Sequence, residues 1–342
     1  MQVTRALALG GLAHRELGCS NFTARVIGTG SRATYLESCT GEILWLSPPG
    51  SVLHRRCVVV PLLNSERWKE GDVCHSDGDT LCGGRSDAVC WSGADVWEAA
   101  PPGTASVTPE ESAAALAGGL SALSLRHAPR GLAQLAFGVA PGERRRAGAE
   151  MGLMEGWSAR ASGRVMDVVR ALRARDAAGL LLAGSALVGL GEGLTPSGDD
   201  FLGGLLFGLR LREYADCDET WIDWDVVRDW VADASTLTSR ISHAILSDLA
   251  AGYGPEPLHA LARETLMGGS REVVAEHAAR VIWIGNTSGW DLLAGFSVAS
   301  VNGAASAQCL EVATSGVCGS LARFPRVGRT RIPAGGFYGN GS

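Results

Sequence analysis

The stretch Pro101-Pro102-Gly103-Thr104-Ala105-Ser106-Val107-Thr108-Pro109-Glu110-Glu111 divides the chain into two kinds of sequence. Two prolines and a glycine halt extended chain. Thr108 is then placed to N-cap a helix, Pro109 suits its first position, and Glu111 closes a capping box. Before this boundary, short β-branched or aromatic runs at 22–27, 33–37, 42–46, 57–62, 88–91 and 95–98 read as strands. Gly28-Thr29-Gly30-Ser31 reads as a hairpin turn, Pro48-Pro49-Gly50 closes the third strand, and the Asp-, Gly- and Ser-rich 71–85 reads as a long loop. Beyond the boundary the apolar spacing is helical, predicting helices at 109–124, 162–175, 176–188, 198–213, 224–234, 239–251, 256–267, 271–283 and 289–301. The expected fold class is α+β. An N-terminal antiparallel β-rich domain (sheet or small barrel) spans 1–104, a mainly α-helical domain carrying the ligand site spans 105–322, and a loose tail spans 323–342. A charged connector at 142–149 carries Arg144-Arg145-Arg146, a solvated turn or a phosphate contact.

Composition narrows the chemistry. Hydrophobic residues at 46% and charged residues at 19% of 342 exclude disorder for the bulk of the chain. With 36 acidic against 30 basic residues, the net charge of −6 attracts neither nucleic acid nor anionic lipid. The one lysine, Lys69, lies in a polar stretch, and no Gly-Lys-Ser or Gly-Lys-Thr occurs, which excludes a phosphate-binding Walker loop and disfavours Schiff-base catalysis. Nine cysteines, odd in number and without a Cys-x-x-Cys pair, argue against structural zinc and a disulfide framework. Cys74-His75 with Cys82 and Cys90 is a local cluster, but its spacing matches no common ligand pattern. The apolar run 6–13 is too short and too soon charged for a signal peptide, and no run approaches a membrane span, so a cytoplasmic location is expected.

The richest passage is Gly189-Leu190-Gly191-Glu192-Gly193-Leu194-Thr195-Pro196-Ser197-Gly198-Asp199-Asp200, a glycine-rich loop running into a helix start. Ser197 is placed as N-cap and Asp200 as its capping-box partner, while Gly191 and Gly193 allow a sharp turn close to a ligand. Helix-start N–H groups favour anions. Asp199 and Asp200 in the same turn repel a bare one, so the ligand should carry a donor end as well as an acceptor end, or reach the site through Mg²⁺. A second passage, Gly285-Asn286-Thr287-Ser288-Gly289-Trp290-Asp291-Leu292-Leu293-Ala294-Gly295, repeats the pattern. Both read Ser-Gly-x-Asp-x-Leu-x-Gly, with Ser197, Gly198, Asp200, Leu202 and Gly204 each 91 residues before their counterparts. The repetition suggests a duplicated element whose two helix N-termini face one pocket across a pseudo-two-fold axis. Arg240, opening another helix, is a candidate clamp for carboxylate or phosphate, and His243 a candidate acid or base.

The run Gly-x-Gly-x-Gly-Leu-Thr-Pro-Ser-Gly-Asp-Asp, followed some ninety residues later by Thr-Ser-Gly-x-Asp-x-Leu-x-Gly, resembles a bacterial family formerly of unknown function. That family includes the AllH-type subunit of oxamate carbamoyltransferase. The resemblance implies allantoin-type nitrogen catabolism (purine degradation), in which carbamoyl is exchanged between oxalurate and phosphate to give oxamate and carbamoyl phosphate. It also implies partner subunits, one of them similar to acyl-CoA synthetases. On this reading Asp199, Asp200 and Asp291 are the catalytic candidates. Gly191, Gly193, Thr195, Ser197, Gly198, Asn286, Thr287, Ser288, Gly289 and Arg240 bind substrate, with the N–H groups of Gly198 and Gly289 holding the anion. Two alternatives stay open. One is a non-catalytic metabolite-binding or scaffold subunit with Trp221, Trp224 and Trp230 as interface anchors, and the other a Mg²⁺-dependent hydrolase using Asp199, Asp200 and Asp291.

Overall fold

The first hundred residues form β1 (Gln2–Arg5), β2 (Ala8–Gly10), a short helix α1 (Gly11–Leu17), β3 (Thr23–Thr29), β4 (Thr34–Ser38), β5 (Ile43–Ser47), β6 (Cys57–Val59), β7 (Val73–Ser76), β8 (Thr80–Gly83), β9 (Asp87–Cys90) and β10 (Asp95–Trp97). The structure, a computed structural model, describes residues 2–30, 32–61, 68–83, 87–99, 105–136, 154–215 and 221–302. The expected break at Pro101-Pro102-Gly103, the 142–149 connector and the 323–342 tail lie outside them.

All ten strands belong to one sheet, ordered β1-β9-β8-β7-β3-β4-β5-β6-β2-β10. Pairing is mostly antiparallel, with parallel pairs at β1–β9, β2–β10 and β5–β6. Between β1 and β2 the chain crosses from one end of the sheet towards the other: Ala6 N–H bonds Cys90 O at 2.8 Å and Leu7 N–H bonds Val59 O at 2.8 Å. This crossing curls the sheet into a half-barrel, around a core that includes Leu9, Val26, Leu36, Leu46, Val58 and Leu81. Alternation explains the fill. Along β4, Thr34, Leu36 and Ser38 point inward, leaving Tyr35 and Glu37 on the other face.

The expected loop at 71–85 is instead the β7–β8 hairpin, turned through Asp77–Asp79 with Gly78 at φ 109° and Thr80 N–H bonded to Asp77 Oδ1 at 3.0 Å. Its strands have four residues each and bury few apolar side chains, so composition outweighed periodicity. Cys74 is buried while His75, its neighbour, points to the other face opposite Cys82, which separates Cys74 from the other members of the cysteine–histidine cluster.

After the boundary come α2 (Pro109–Ser124), α3 (Ala133–Ala136), α4 (Met154–Ala174), α5 (Ala177–Ser185), α6 (Ser197–Ala215), α7 (Trp224–Asp233), α8 (Arg240–Ala250), α9 (Glu256–Leu266), α10 (Arg271–Ile282) and α11 (Ser288–Asn302). The capping box of α2 is present in both directions: Thr108 Oγ1 accepts from Glu111 N–H and Glu111 accepts from Thr108 N–H. Helix α4 begins eight residues before the expected 162. Trp221, Trp224 and Trp230 are half-buried and pack against the helical core.

Helices α6 and α11 form the centre of the helical core. Nearly every residue of the first three turns of α6 is buried, including Phe201 and Phe207 at full burial, each stabilising by roughly 2 kcal/mol. A helix apolar all round must be enclosed on every side, and here the repeated motifs permit it. A Cβ on Gly204 would stand 2.1 Å from Leu292 O, and a Cβ on Gly295 would stand 1.9 Å from Phe201 O. Gly204 and Gly295 are equivalent in the repeat, as are Phe201 and Leu292, so the contact is reciprocal and the helices cross backbone to backbone about an approximate two-fold axis.

The sheet meets this layer through α8. Ile43 of β5 packs with Ile241 and Ala244. Beside them, buried Arg56 grips Asp248 with Nε and Nη2, the latter at 2.8 Å, and reaches Glu42 Oε2 with Nη1 at 2.6 Å.

Candidate functional site

The loop 189–196 folds onto the start of its own helix. Gly189, Gly191 and Gly193 all have positive φ, at 69°, 128° and 92°. A Cβ on Gly191 would sit 2.7 Å from Ser197 N, so only glycine permits this approach. The glycines therefore shape the loop, and none of the three lines the cavity between sheet and helices.

The four acidic and hydroxyl positions of the motifs are crossed. Asp200 faces the Ser288 hydroxyl, with Thr195 beside it, and Asp291 faces the Ser197 hydroxyl, with Thr287 beside it. Thr195 Oγ1 and Ser288 Oγ lie 2.9 Å apart, joining the first motif to the second. This differs from the expected capping box, because Asp200 turns towards the other motif instead of back along its own helix. Asp291 Oδ1 accepts from Leu132 N–H at 2.6 Å, next to Gly131 at φ 55°, and so anchors the turn before α3.

Electrostatics follow from this burial. Burial pushes Asp200 well above the ordinary carboxylate range; the Ser288 hydroxyl opposes the shift, and the nearby Asp291 and Asp199 add to it. Asp291 is pushed up to about 7, again by burial, against the Ser197 hydroxyl and the Leu132 N–H. Asp199 is different. Its Oδ1 accepts from Gly189 N–H at 2.7 Å, and its Oδ2 from the Ser242 hydroxyl at 2.6 Å and the Thr238 hydroxyl. Its acceptors are filled by loop and α8, which makes it a structural tie. Among the described residues, no three His, Cys, Asp or Glu side chains are grouped to hold a metal ion.

Between the curled sheet and the helix pair lies a cavity of about 550 Å³, within the size range of small-molecule sites. Thr195, Asp200 and Ser288 line its helical wall. The sheet supplies Arg32 from the β3–β4 turn, the cross-strand pair Tyr35 and Trp45, Ser47, and His54 from the loop before β6. Trp283, 68% exposed, and Gly285 also line it. Trp45 and His54 are stacked at 4.9 Å.

Three of these lining residues carry a buried polar atom with no hydrogen-bond partner: Ser47 Oγ, His54 Nε2 and Asp200 Oδ2. His54 Nδ1 accepts from Arg56 N–H at 3.3 Å, so in the neutral ring Nε2 carries the hydrogen. Burial, then Arg56 and Arg55, hold this imidazole well below the usual histidine range. Nε2 stands 3.8 Å from Asp248 Oδ2, beyond hydrogen-bond reach, and Asp248 is already taken by Arg56. Arg32 makes no ion pair among the described residues.

The remaining sequence candidates fall elsewhere. Gly198 N–H bonds Leu190 O at 2.8 Å and Gly289 N–H bonds Ile284 O at 2.9 Å, so the expected anion-holding donors are already spent within the fold. A Cβ on either glycine would collide with a carbonyl, that of Leu187 or of Val281. Asn286 is exposed and accepts from Arg130 at 3.4 Å. Arg240 is paired with Glu37 of β4 instead of reaching the cavity, and His243 Nε2 faces Val231 O at 3.0 Å. The sheet wall was not anticipated from sequence. Its one usable signal was that Tyr35 and Trp45 put two aromatics on the face of β4 and β5 turned away from the curl.

The fold and site thus define an α+β protein with a cleft between a half-barrel and a duplicated helix-start motif. Residues 187–300, about a third of the chain, match the family described as oxamate carbamoyltransferase subunit AllH, the family that the paired motif resembles. That match includes Thr195, Asp200, Ser288 and Asp291 and stops short of the sheet wall. No curated protein and no solved structure matches the chain. No helix among the described residues is long and apolar enough to cross a membrane.

Proposed function

We propose that this chain is the substrate-binding subunit of an oxamate carbamoyltransferase and that the cavity between sheet and helix pair takes the carbamoyl-bearing acid. The observation that carries the reading is the concentration of three unpartnered buried polar atoms, with a free guanidinium, around one cavity faced by both motifs. An unmet buried polar group costs about 1–3 kcal/mol, so their gathering at one cavity is best explained by a ligand that meets them.

Each group has work suited to carbamoyl transfer. Arg32 pairs with the carboxylate or phosphate of the ligand. Asp200, kept protonated by burial, donates from its carboxyl group where a carboxylate would repel, and His54 Nε2–H is a second donor. Aimed at the carbamoyl oxygen, these donors stabilise the negative charge that forms there when a phosphate oxygen attacks the carbamoyl carbon. The carbon–nitrogen bond of oxalurate then breaks, the proton of hydrogen phosphate passes to the departing nitrogen, and oxamate and carbamoyl phosphate result. Partner subunits complete the enzyme.

The test is a titration of the purified chain, by calorimetry and melting temperature, with oxalurate, oxamate, carbamoyl phosphate and phosphate, repeated on Arg32→Gln and Asp200→Leu. At least one ligand should bind, and each variant should weaken it about 10- to 100-fold. Unchanged affinity in both variants, or no binding with partner subunits present, would overturn the assignment.

A further inference from the structure

A second cavity, of about 290 Å³, is lined by Arg210 of α6, Trp224 and Arg228 of α7, and His243 and Ser247 of α8. It is separated from the first by the body of α8 and by three turns of α6. On α8, Ile245 and Leu249 line the first cavity, whereas His243, Ser247 and Ala250 line the second. At 100° per residue these sets occupy opposite faces. On α6, Asp200 and Arg210 lie ten residues apart, roughly 15 Å along the axis.

The chemistry of this cavity is one-sided. The Arg210 guanidinium lies over the rings of Trp224, at 4.5 Å, and Tyr214, at 5.2 Å, which fixes its plane. Nη1 donates to Glu213 Oε2 at 3.1 Å. That leaves the edge formed by Nε and Nη2, the edge that matches the two oxygens of a carboxylate or phosphate. Arg210 Nε is buried without an acceptor, and so is Trp224 Nε1. The one carboxylate that lines the cavity, Asp225, holds Arg228 at 2.7 Å, and the Ser247 hydroxyl spends its proton on His243 O at 2.8 Å. His243 Nε2, facing a carbonyl, is itself a donor. Buried donors without acceptors, on side chains held in place by stacking, call for an acceptor from outside the chain.

We propose that this cavity is a second binding site, for a small oxoanion, which the Nε–Nη2 edge of Arg210 grips in bidentate fashion with the Trp224 indole N–H as third donor. Carboxylate and phosphate share the chemistry, and the experiment separates them. The site is independent of the cavity at the paired motif.

The full chain carrying Arg32→Gln, which weakens the first cavity, is titrated with oxalate and with inorganic phosphate by calorimetry and tryptophan fluorescence. One or both anions should bind with unit stoichiometry and perturb the fluorescence, and the anion that binds more tightly identifies the class. Adding Trp224→Phe, which keeps the ring and removes the N–H, should weaken that binding at least tenfold. Arg210→Lys, which keeps the charge and removes the forked edge, should weaken it about a hundredfold. Circular dichroism verifies that each variant is folded, and either one suffices if the other is not. Absence of binding by both anions in the Arg32→Gln chain, or equal affinity in a folded Trp224→Phe or Arg210→Lys chain, would overturn the proposal.

Discussion

Asp291→Asn should make the protein more stable at alkaline pH, and the gain can be worked from the buried site. Asp291 is fully buried, and its proton is held to about 7 in the folded chain against 3.8 in an unburied aspartate. Below pH 4 both folded and unfolded states carry the proton, and the group is neutral in each. Between pH 4 and 7 only the folded state keeps it, so stability falls as the pH rises, and above about 7 the loss is complete. The gap corresponds to about 4 kcal/mol at ~1.4 kcal/mol per pH unit. Asparagine retains an oxygen for the Leu132 N–H and carries no charge at any pH. The stability of the variant relative to wild type should therefore rise from near zero at pH 4 to about 4 kcal/mol at pH 8. Urea unfolding followed by far-ultraviolet circular dichroism, at half-unit pH steps from 4 to 8.5, measures the difference. A difference that stays flat across this range, or a wild type more stable than the variant above pH 7, would refute the reasoning that burial sets this proton.

Alanine at either crossing glycine should be costly. With a carbonyl 2.1 Å from the added Cβ in Gly204→Ala and 1.9 Å in Gly295→Ala, each variant should lose about 3 kcal/mol or more in denaturant unfolding, and the two losses should not add, because they force apart the same pair of helices. Replacing Arg56 by methionine leaves Asp248 buried without its bidentate partner, which should cost about 3–5 kcal/mol; the double replacement Arg56→Met with Asp248→Leu should recover most of that loss in the same assay.

How far the sequence could be read depended on whether a signal was local. Thr108, Pro109 and Glu111 specify a helix start by their own side chains, and α2 begins where they place it. Strands β1 and β2 are four and three residues long and are held by neighbours distant in sequence, so no window of the chain reveals them, and β7 and β8, although a local hairpin, have four residues each and bury too few apolar side chains to show a period. Gly10 and Gly11, inside the apolar run 6–13, form a strand-to-helix junction pressed against His54 O and Glu98. The helical wall of the site was legible because a repeat shows itself by self-comparison. Asp199 and Asp200, adjacent and alike in sequence, differ in what they face, one towards α8 and the loop and the other towards the cavity, and no pattern distinguishes them. The sheet wall was legible only in its aromatic pair: Arg32 and His54 share no spacing with Tyr35, Trp45 and Ser47 and are brought beside them only by strand pairing.

The crossed serines and aspartates also set a timetable for biosynthesis. Each motif completes the other across 91 residues, so the first can be made, and its helix formed, long before its partner leaves the ribosome. Until α11 has emerged, the unsheathed face of α6 presents glycine and leucine to solvent with nothing to cover it. A nascent chain stalled short of residue 288 would lack one wall of the cavity, and it is at this interval that a chaperone would find most to hold.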